Sequence, residues 1–499
     1  MVTSKSRWYA LAALALSTLA VGLDTTVLSV ALPTLSRELH ASTGDLQWFT
    51  TAYLLVLAAA LLPAGLLGDR AGRKKMLIGA LATFGLASVA CAYAQGAGQL
   101  IAARALLGIG AAVIMPMSGA VLTVLFEPKE RGRAMGVWVT ASALGIPLGP
   151  LLGGWLLDNF WWGSVFLINV PVVVAGILAL TAWLPESHGE RGGRLDLGGI
   201  VASTAGLVAL TYGVISAGDR GWGDVRSLAT IVAGVVLLGL FVILQRRSAA
   251  PLIDLALFRS RAFTSGAVLA TIASFAMLGL LFSLPQFFSA IGGQDAFGSG
   301  LRLLPVIAGL VAGARLGERI ARRTGARLVI TVGLALIAVS SLAGAFTTVS
   351  SGYGFIAVWI TVTGLGLGLT MPVSLDVAMS ALTARRSGVG NAVLQALRQV
   401  GGAVGVAVLG TVLNSGYRDH LPAGTPPVAR EGISAGVTLS DPGLLAGVRA
   451  AFVHGMDLSL LVGGGAALAG AILALAFLPR EKAGPALEAP SPVLAESGI

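Results

Sequence analysis

Charge is what this chain lacks. Only 11% of its 499 residues are Asp, Glu, Lys or Arg, against roughly a quarter in an ordinary soluble domain. That is too little ionic cover for a water-facing surface of this size, so a string of soluble domains is excluded. Disorder is excluded for the opposite reason: it needs low hydrophobicity, and 56% of the residues are hydrophobic. Cysteine is almost absent. The lone Cys91 rules out an intrachain disulfide and any multi-cysteine metal site, and reads as a small apolar packing residue. The four histidines, His40, His188, His420 and His454, include no His-Glu-x-x-His pair, and there is no Gly-x-x-x-x-Gly-Lys phosphate loop. With no soluble stretch long enough for catalysis, the chain is expected to be neither an enzyme nor an ATP-driven motor, and to need no metal and no cofactor.

What the chain has is long apolar runs. A bilayer core takes about 20 apolar residues of helix, and fourteen such runs can be marked, from 8–31 to 453–478. This predicts an all-α polytopic membrane protein with the lipid bilayer as its partner. The first run is too long for a signal-peptide core, carries Asp24, and is followed by no convincing cleavage site. The formal charge of +10 is scattered in short loops rather than gathered on one face, which argues against nucleic acid. With the N-terminus placed in the cytoplasm, cytoplasmic flanks hold 24 basic residues and the opposite flanks hold 7. That asymmetry, with an even number of spans, puts both termini inside. Five lysines against 28 arginines, with heavy Ala and Gly use, suggest a GC-rich bacterial source and hence the bacterial cytoplasmic membrane.

An internal repeat organises the spans. Gly108, Gly110, Met115, Pro116, Ser118, Gly132, Gly145 and Gly149 recur as Gly364, Gly366, Met371, Pro372, Ser374, Gly388, Gly401 and Gly405, every pair 256 apart. The expected layout is a six-helix bundle over 1–184, a cytoplasmic linker over 185–196, and an inserted helix pair over 197–245. A second six-helix bundle covers 261–478, with an extracellular loop at 415–450, and a disordered tail fills 479–499. Within the loop, 443–452 reads either as a surface amphipathic helix or as irregular chain. Parallel six-helix repeats are the pattern of carriers whose halves rock around a midplane site.

Four motifs sharpen this. Between the second and third spans stands Gly65-Leu-Leu-Gly68-Asp69-Arg70-Ala-Gly72-Arg73-Lys74-Lys75. It closely resembles the cytoplasmic signature of the major facilitator superfamily. The glycines permit a tight turn, and Asp69 can accept from a helix N-terminus or pair with an arginine across the halves, as a conformational gate. The first span carries Leu23-Asp24-Thr25-Thr26 and ends in Ala31-Leu32-Pro33, similar to the fourteen-helix drug–proton antiporter branch of that family. A buried aspartate there is costly unless it has a partner or a cavity, and switching between neutral and ionised forms is what proton coupling requires. A structural hydrogen-bonding role is the alternative. Arg104, on one face with Gly108 and Ala111, resembles the family's helix 4 motif, which implies a part in proton coupling. Gly145, Pro147, Gly149, Pro150, Gly153 and Gly154 resemble the motif that marks exporters, with glycines at four-residue spacing opening a groove for close helix packing.

The chain departs from the quaternary-ammonium pumps of this branch. Thr51 stands where they carry an acid in helix 2, and Gln395, Arg398 and Gln399 stand where they carry acids in helix 13. The substrates expected are therefore neutral, monocationic or anionic amphiphiles. Arg398 would pair with an anionic group or, alternatively, with a carbonyl or Asp376. Tyr53, Asn169, Gln286, Phe287, Gln395, Arg398 and Gln399 are the candidate substrate-lining residues. The expected function is proton-coupled antiport exporting hydrophobic drugs or antibiotics, by a chain working as a monomer. A proton-coupled uptake carrier for a small organic solute is the alternative.

Overall fold

A computed structural model describes residues 4–126, 128–187, 196–248, 251–382 and 387–478. The tail 479–499 and most of the linker lie outside it, as do the side-chain surroundings of Gly65, Gly68, Asp69, Arg70 and Pro147 within their helices. In lipid a backbone must satisfy its own polar groups, so apolar runs of this length become helices. The first six-helix unit comprises α1 (Ser4–Glu38), α2 (Thr43–Ala71), α3 (Arg73–Ala92), α4 (Ala97–Leu125), α5 (Pro128–Asn159) and α6 (Ser164–Trp183), with α6 broken at Ile168. Next come the inserted pair, α7 (Leu197–Arg220) and α8 (Val225–Arg247). The second unit comprises α9 (Arg261–Ala290), α10 (Ala296–Thr324, broken at Leu303), α11 (Ala326–Gly344), α12 (Tyr353–Ser380), α13 (Ser387–Asp419) and α14 (Pro442–Phe477).

Thirteen helices among the described residues are long and apolar enough to cross a membrane, where the sequence predicts fourteen. The one not counted is α5, a 32-residue helix in which several side chains lie outside the description. It fills the place of the fifth predicted span and packs along α1.

The repeat is visible in packing. Gly108 of α4 lies against the backbone of Tyr53 and Leu57 in α2, and Gly364 of α12 lies against Val306 and Leu310 in α10. Gly110 meets Ala80 and Phe84 of α3, whereas Gly366 meets Gly333 and Ile337 of α11. Gly145 and Gly149 of α5 meet Gly22 and Thr26 of α1; Gly401 and Gly405 of α13 meet Thr271 and Phe275 of α9. Each glycine lets two backbones approach closer than a side chain would allow. These contacts make Tyr53 the counterpart of Val306, and Asp24, midway between Gly22 and Thr26, the counterpart of Ala273. Of the inserted pair, α7 leans on α2 and α13 and α8 packs on α7; α8 leaves Val232, Val235 and Val236 exposed, as a helix facing lipid does.

The predicted loop 415–450 is shorter than expected. α13 runs on to Asp419 and α14 begins at Pro442, so 443–452 is the first part of a spanning helix and not a separate surface helix. The signal was local: the Asp441 carboxylate caps the amides of Gly443 and Leu444, with Pro442 in the first turn. The segment between them folds back onto the bundle. Tyr417 Oη donates to the Ala429 carbonyl at 2.6 Å, and Thr43 Oγ1 donates to the Glu431 carbonyl at 3.1 Å.

Candidate functional site

Inside the first unit, five helices converge on one ion pair. Arg104 of α4 donates from Nη1 to Asp24 Oδ2 of α1 at 2.6 Å, and from Nε to the Phe49 carbonyl of α2 at 2.9 Å. Both side chains are essentially inaccessible, 1% and 0% exposed. The guanidinium sits 4.6 Å from the centroid of the Tyr53 ring, a cation–π contact strengthened by desolvation. Asn169 of α6 donates from Nδ2 to Asp24 Oδ1 at 3.4 Å and to Ser88 Oγ of α3 at 3.3 Å. The local reason is Gly108 and its neighbours: small residues draw α4 against α2, which brings Arg104 in reach of the Phe49 carbonyl. A desolvated charge is tolerated only when paired and hydrogen-bonded, and here the hydrogen-bonding partners of the pair come from different helices.

Two predicted groups are thus merged. Asp24 and Arg104, the proton-coupling candidates, lie together with Tyr53 and Asn169, two of the substrate-lining candidates. Tyr53 and Asn169 are each 1% exposed; they pack on the ion pair. Sequence reasoning missed the Phe49 carbonyl and Ser88. A backbone acceptor leaves no mark in sequence, and the only trace of Ser88 is a polar residue in an otherwise apolar run.

The other predicted residues lie apart from this cluster. Gln286 of α9 bonds the Phe282 carbonyl of its own helix at 2.8 Å, and Phe287 packs edge-on against Phe288. Arg398 donates to Gln395 Oε1 at 3.1 Å within α13, with Gln399 beside it, half-buried. Asp376 is not its partner among the described contacts. Thr51 bonds the Gln47 carbonyl at 2.8 Å. Of the gate motif, Gly72 takes φ 102°, a left-handed turn that favours glycine. The Arg73 amide bonds the Ser187 carbonyl at 2.8 Å, and the Lys74 amide bonds Glu186 Oε1 at 3.0 Å, tying the turn to the end of α6.

The exporter-like motif reaches both units. Gly145, Gly149 and Gly153 seat α5 on α1, whereas Pro150 and Gly154 face Gly300 and Phe297 at the start of α10. Just beyond, both Asp158 carboxylate oxygens accept from that helix, from the Ala296 amide at 3.2 Å and the Phe297 amide at 2.9 Å. Gln47 of α2 donates to the Val406 and Ala407 carbonyls of α13 at 3.2 and 3.0 Å. Every described hydrogen bond between the six-helix units lies toward the face opposite the chain termini. The two units are latched at that face.

The sequence model of the Major Facilitator Superfamily matches residues 14–406. The tetracenomycin C resistance and export protein of Streptomyces glaucescens is 33% identical over 489 residues, spanning 94% of this chain and 91% of that protein. The multidrug efflux pump LfrA of Mycolicibacterium smegmatis is 32% identical over 491 residues, spanning 95% and 97%. The methyl viologen resistance protein SmvA of Salmonella typhimurium is 36% identical over 441 residues, spanning 86% and 88%. Among solved structures, a bacterial homolog of the human lysosomal transporter Spinster, inward-facing and occupied, superposes with a TM-score of 0.69. It has 18% identity and covers 97% of this chain and 100% of that one, a likeness of fold.

Proposed function

Because the chain belongs to the Major Facilitator Superfamily, we propose that it exports hydrophobic or amphiphilic drugs across the bacterial cytoplasmic membrane in exchange for protons. We assign it to work as a monomer, with both termini in the cytoplasm in keeping with the basic-residue asymmetry. The observation that carries the proposal is the buried Asp24–Arg104 pair. While Asp24 is ionised, the pair is compensated and holds α1 to α4. A proton arriving on Asp24 removes the negative charge and leaves the guanidinium unpaired in an apolar interior, which costs several kcal/mol. Protonation therefore favours a different packing of the first unit, and a packed unit with two charge states is a two-state element. With the described hydrogen bonds between the units at the face opposite the termini, substrate enters from the terminal side in this reading. Unlatching exposes Asp24 to protons from outside and releases the substrate there. Each proton returning inward contributes about 2.3 kcal/mol per 100 mV. The names of the tetracenomycin and LfrA relatives support export as the direction.

The test is drug movement in proteoliposomes holding the full chain. An imposed pH gradient drives counterflow of substrate, a protonophore collapses it, and Asp24→Asn abolishes it at equal protein content. Full transport by that variant, or indifference to the gradient, would refute the coupling. Resistance profiling in a pump-deficient host identifies substrates. We expect neutral, monocationic and anionic compounds to be exported. Methyl viologen belongs in the panel, and strong resistance to it would overturn the preference inferred from Thr51 and the helix 13 residues.

A further inference from the structure

Where α8 ends and α9 begins, the chain builds a basic, apolar-walled recess apart from the Asp24–Arg104 cluster. Residues 251–260 cross between the two helices on the face that carries the termini. The Ile253 amide ties this crossing to α8 by donating to Gln245 Oε1 at 3.0 Å, and Thr264 Oγ1 ties it to α9 by donating to the Phe258 carbonyl at 2.8 Å. Phe258, edge-on to Phe263 at 5.5 Å, forms a wall shared by two clefts. One, of about 370 Å³, runs between α9 and α14 past Val268, Leu473 and Phe477, with Arg261 at its mouth. The other, of about 520 Å³, lies between α8 and the crossing, along Val242 and Leu255, with Arg246 and Arg259.

The chemistry of the walls names the occupant. Val268, Leu473 and Phe477 are 41%, 38% and 58% exposed on membrane-spanning helices, so acyl chains face them. Arg246, Arg259 and Arg261 are exposed and have no carboxylate partner among the described residues. The nearest acid on the crossing, Asp254, turns its carboxylate back to the Ala256 amide at 2.9 Å. Three guanidinium groups without a carboxylate partner among the described residues, at the end of a membrane-spanning helix pair, suit headgroup depth, where basic pockets between helices select anionic lipid. We infer that this recess is a binding site for an anionic phospholipid, its phosphate held by Arg246, Arg259 and Arg261 and an acyl chain laid against Val268 and Phe477. A free phosphate would leave the apolar walls unused.

The test is native mass spectrometry of the full chain released from micelles containing equal amounts of dioleoyl phosphatidylglycerol and dioleoyl phosphatidylcholine. The expected result is retention of phosphatidylglycerol over phosphatidylcholine, with affinity falling about fivefold for each arginine removed in Arg246→Gln, Arg259→Gln and Arg261→Gln combined. The matched triple Arg322→Gln, Arg323→Gln, Arg327→Gln, on the same face, keeps the preference. Val268→Trp, at a lipid-facing position that spares folding, fills one cleft with all three arginines intact and also weakens retention. It carries the test alone if the arginine triple elutes as aggregate. Equal retention of both lipids by the wild type, or unchanged preference in the first triple or in Val268→Trp, would overturn the site. Displacement of the lipid by glycerol 3-phosphate at matching concentration would overturn the lipid assignment in favour of a free-phosphate site.

Discussion

At three equivalent positions the two six-helix units bury opposite chemistry. The first encloses Asp24, Arg104 and Tyr53; the second encloses Ala273, Ile360 and Val306, at 0%, 0% and 6% exposure. The backbone packing around them is the same, with Gly108 and Gly364 each pressed on the neighbouring helix. The shared skeleton therefore does not require the ion pair. The second unit packs the same way without it, and apolar replacement of a buried pair is commonly neutral or stabilising. One unit encloses a buried ion pair, while the other encloses apolar side chains at the same places.

The largest effect should come from breaking one member of the pair. Arg104→Met leaves Asp24 buried and unpaired, and should destabilise the purified protein by about 3–5 kcal/mol and abolish export. Its counterpart Ile360→Val should cost about 1 kcal/mol and leave export intact. Thermal unfolding in detergent compares the two, and equal costs would end the distinction between the units. Writing the second unit's residues into the first sharpens it further. Asp24→Ala combined with Arg104→Ile should recover most of the stability lost in the single variant while export stays absent; surviving proton-driven export in the double variant would remove the pair from the mechanism.

A smaller effect tests the symmetry itself. Gly108→Val and Gly364→Val force side chains into matching backbone contacts, and each should cost about 1–3 kcal/mol, alike within about 1 kcal/mol. A large disparity in unfolding temperature would show that the repeat matches in sequence but not in packing. Smallest is the latch. Asp158→Ala removes the carboxylate that caps the start of α10, a loss of about 1 kcal/mol borne only by the latched state. Spin labels on Phe160→Cys and Ser350→Cys should then report a population at longer separation, and an unchanged distance distribution would take Asp158 out of the latch.

Much of this was legible in the sequence. The apolar runs fixed nearly every span, because a helix in lipid has no other way to satisfy its backbone. The offset of 256 found the repeat, because close helix contacts leave glycines behind. Asp24 and Arg104 stood out because charge inside an apolar run is rare. The sequence put Tyr53 and Asn169 in a different group, because a tyrosine or asparagine on a helix carries no mark of whether it faces a cavity or a neighbouring charge. Gln47 and Asp158 escaped notice for the same reason: their partners are backbone groups on the other unit.

Composition and periodicity alone determined that this polypeptide crosses a membrane many times and carries an internal repeat, since both follow from transfer energies and spacing along the chain. Only the tertiary structure decided that a carboxylate from α1 and a guanidinium from α4 meet at 2.6 Å. Only the tertiary structure decided which face joins the two units, because contacts between residues far apart in the chain depend on how helices cross, and crossing is settled by packing across all of them at once.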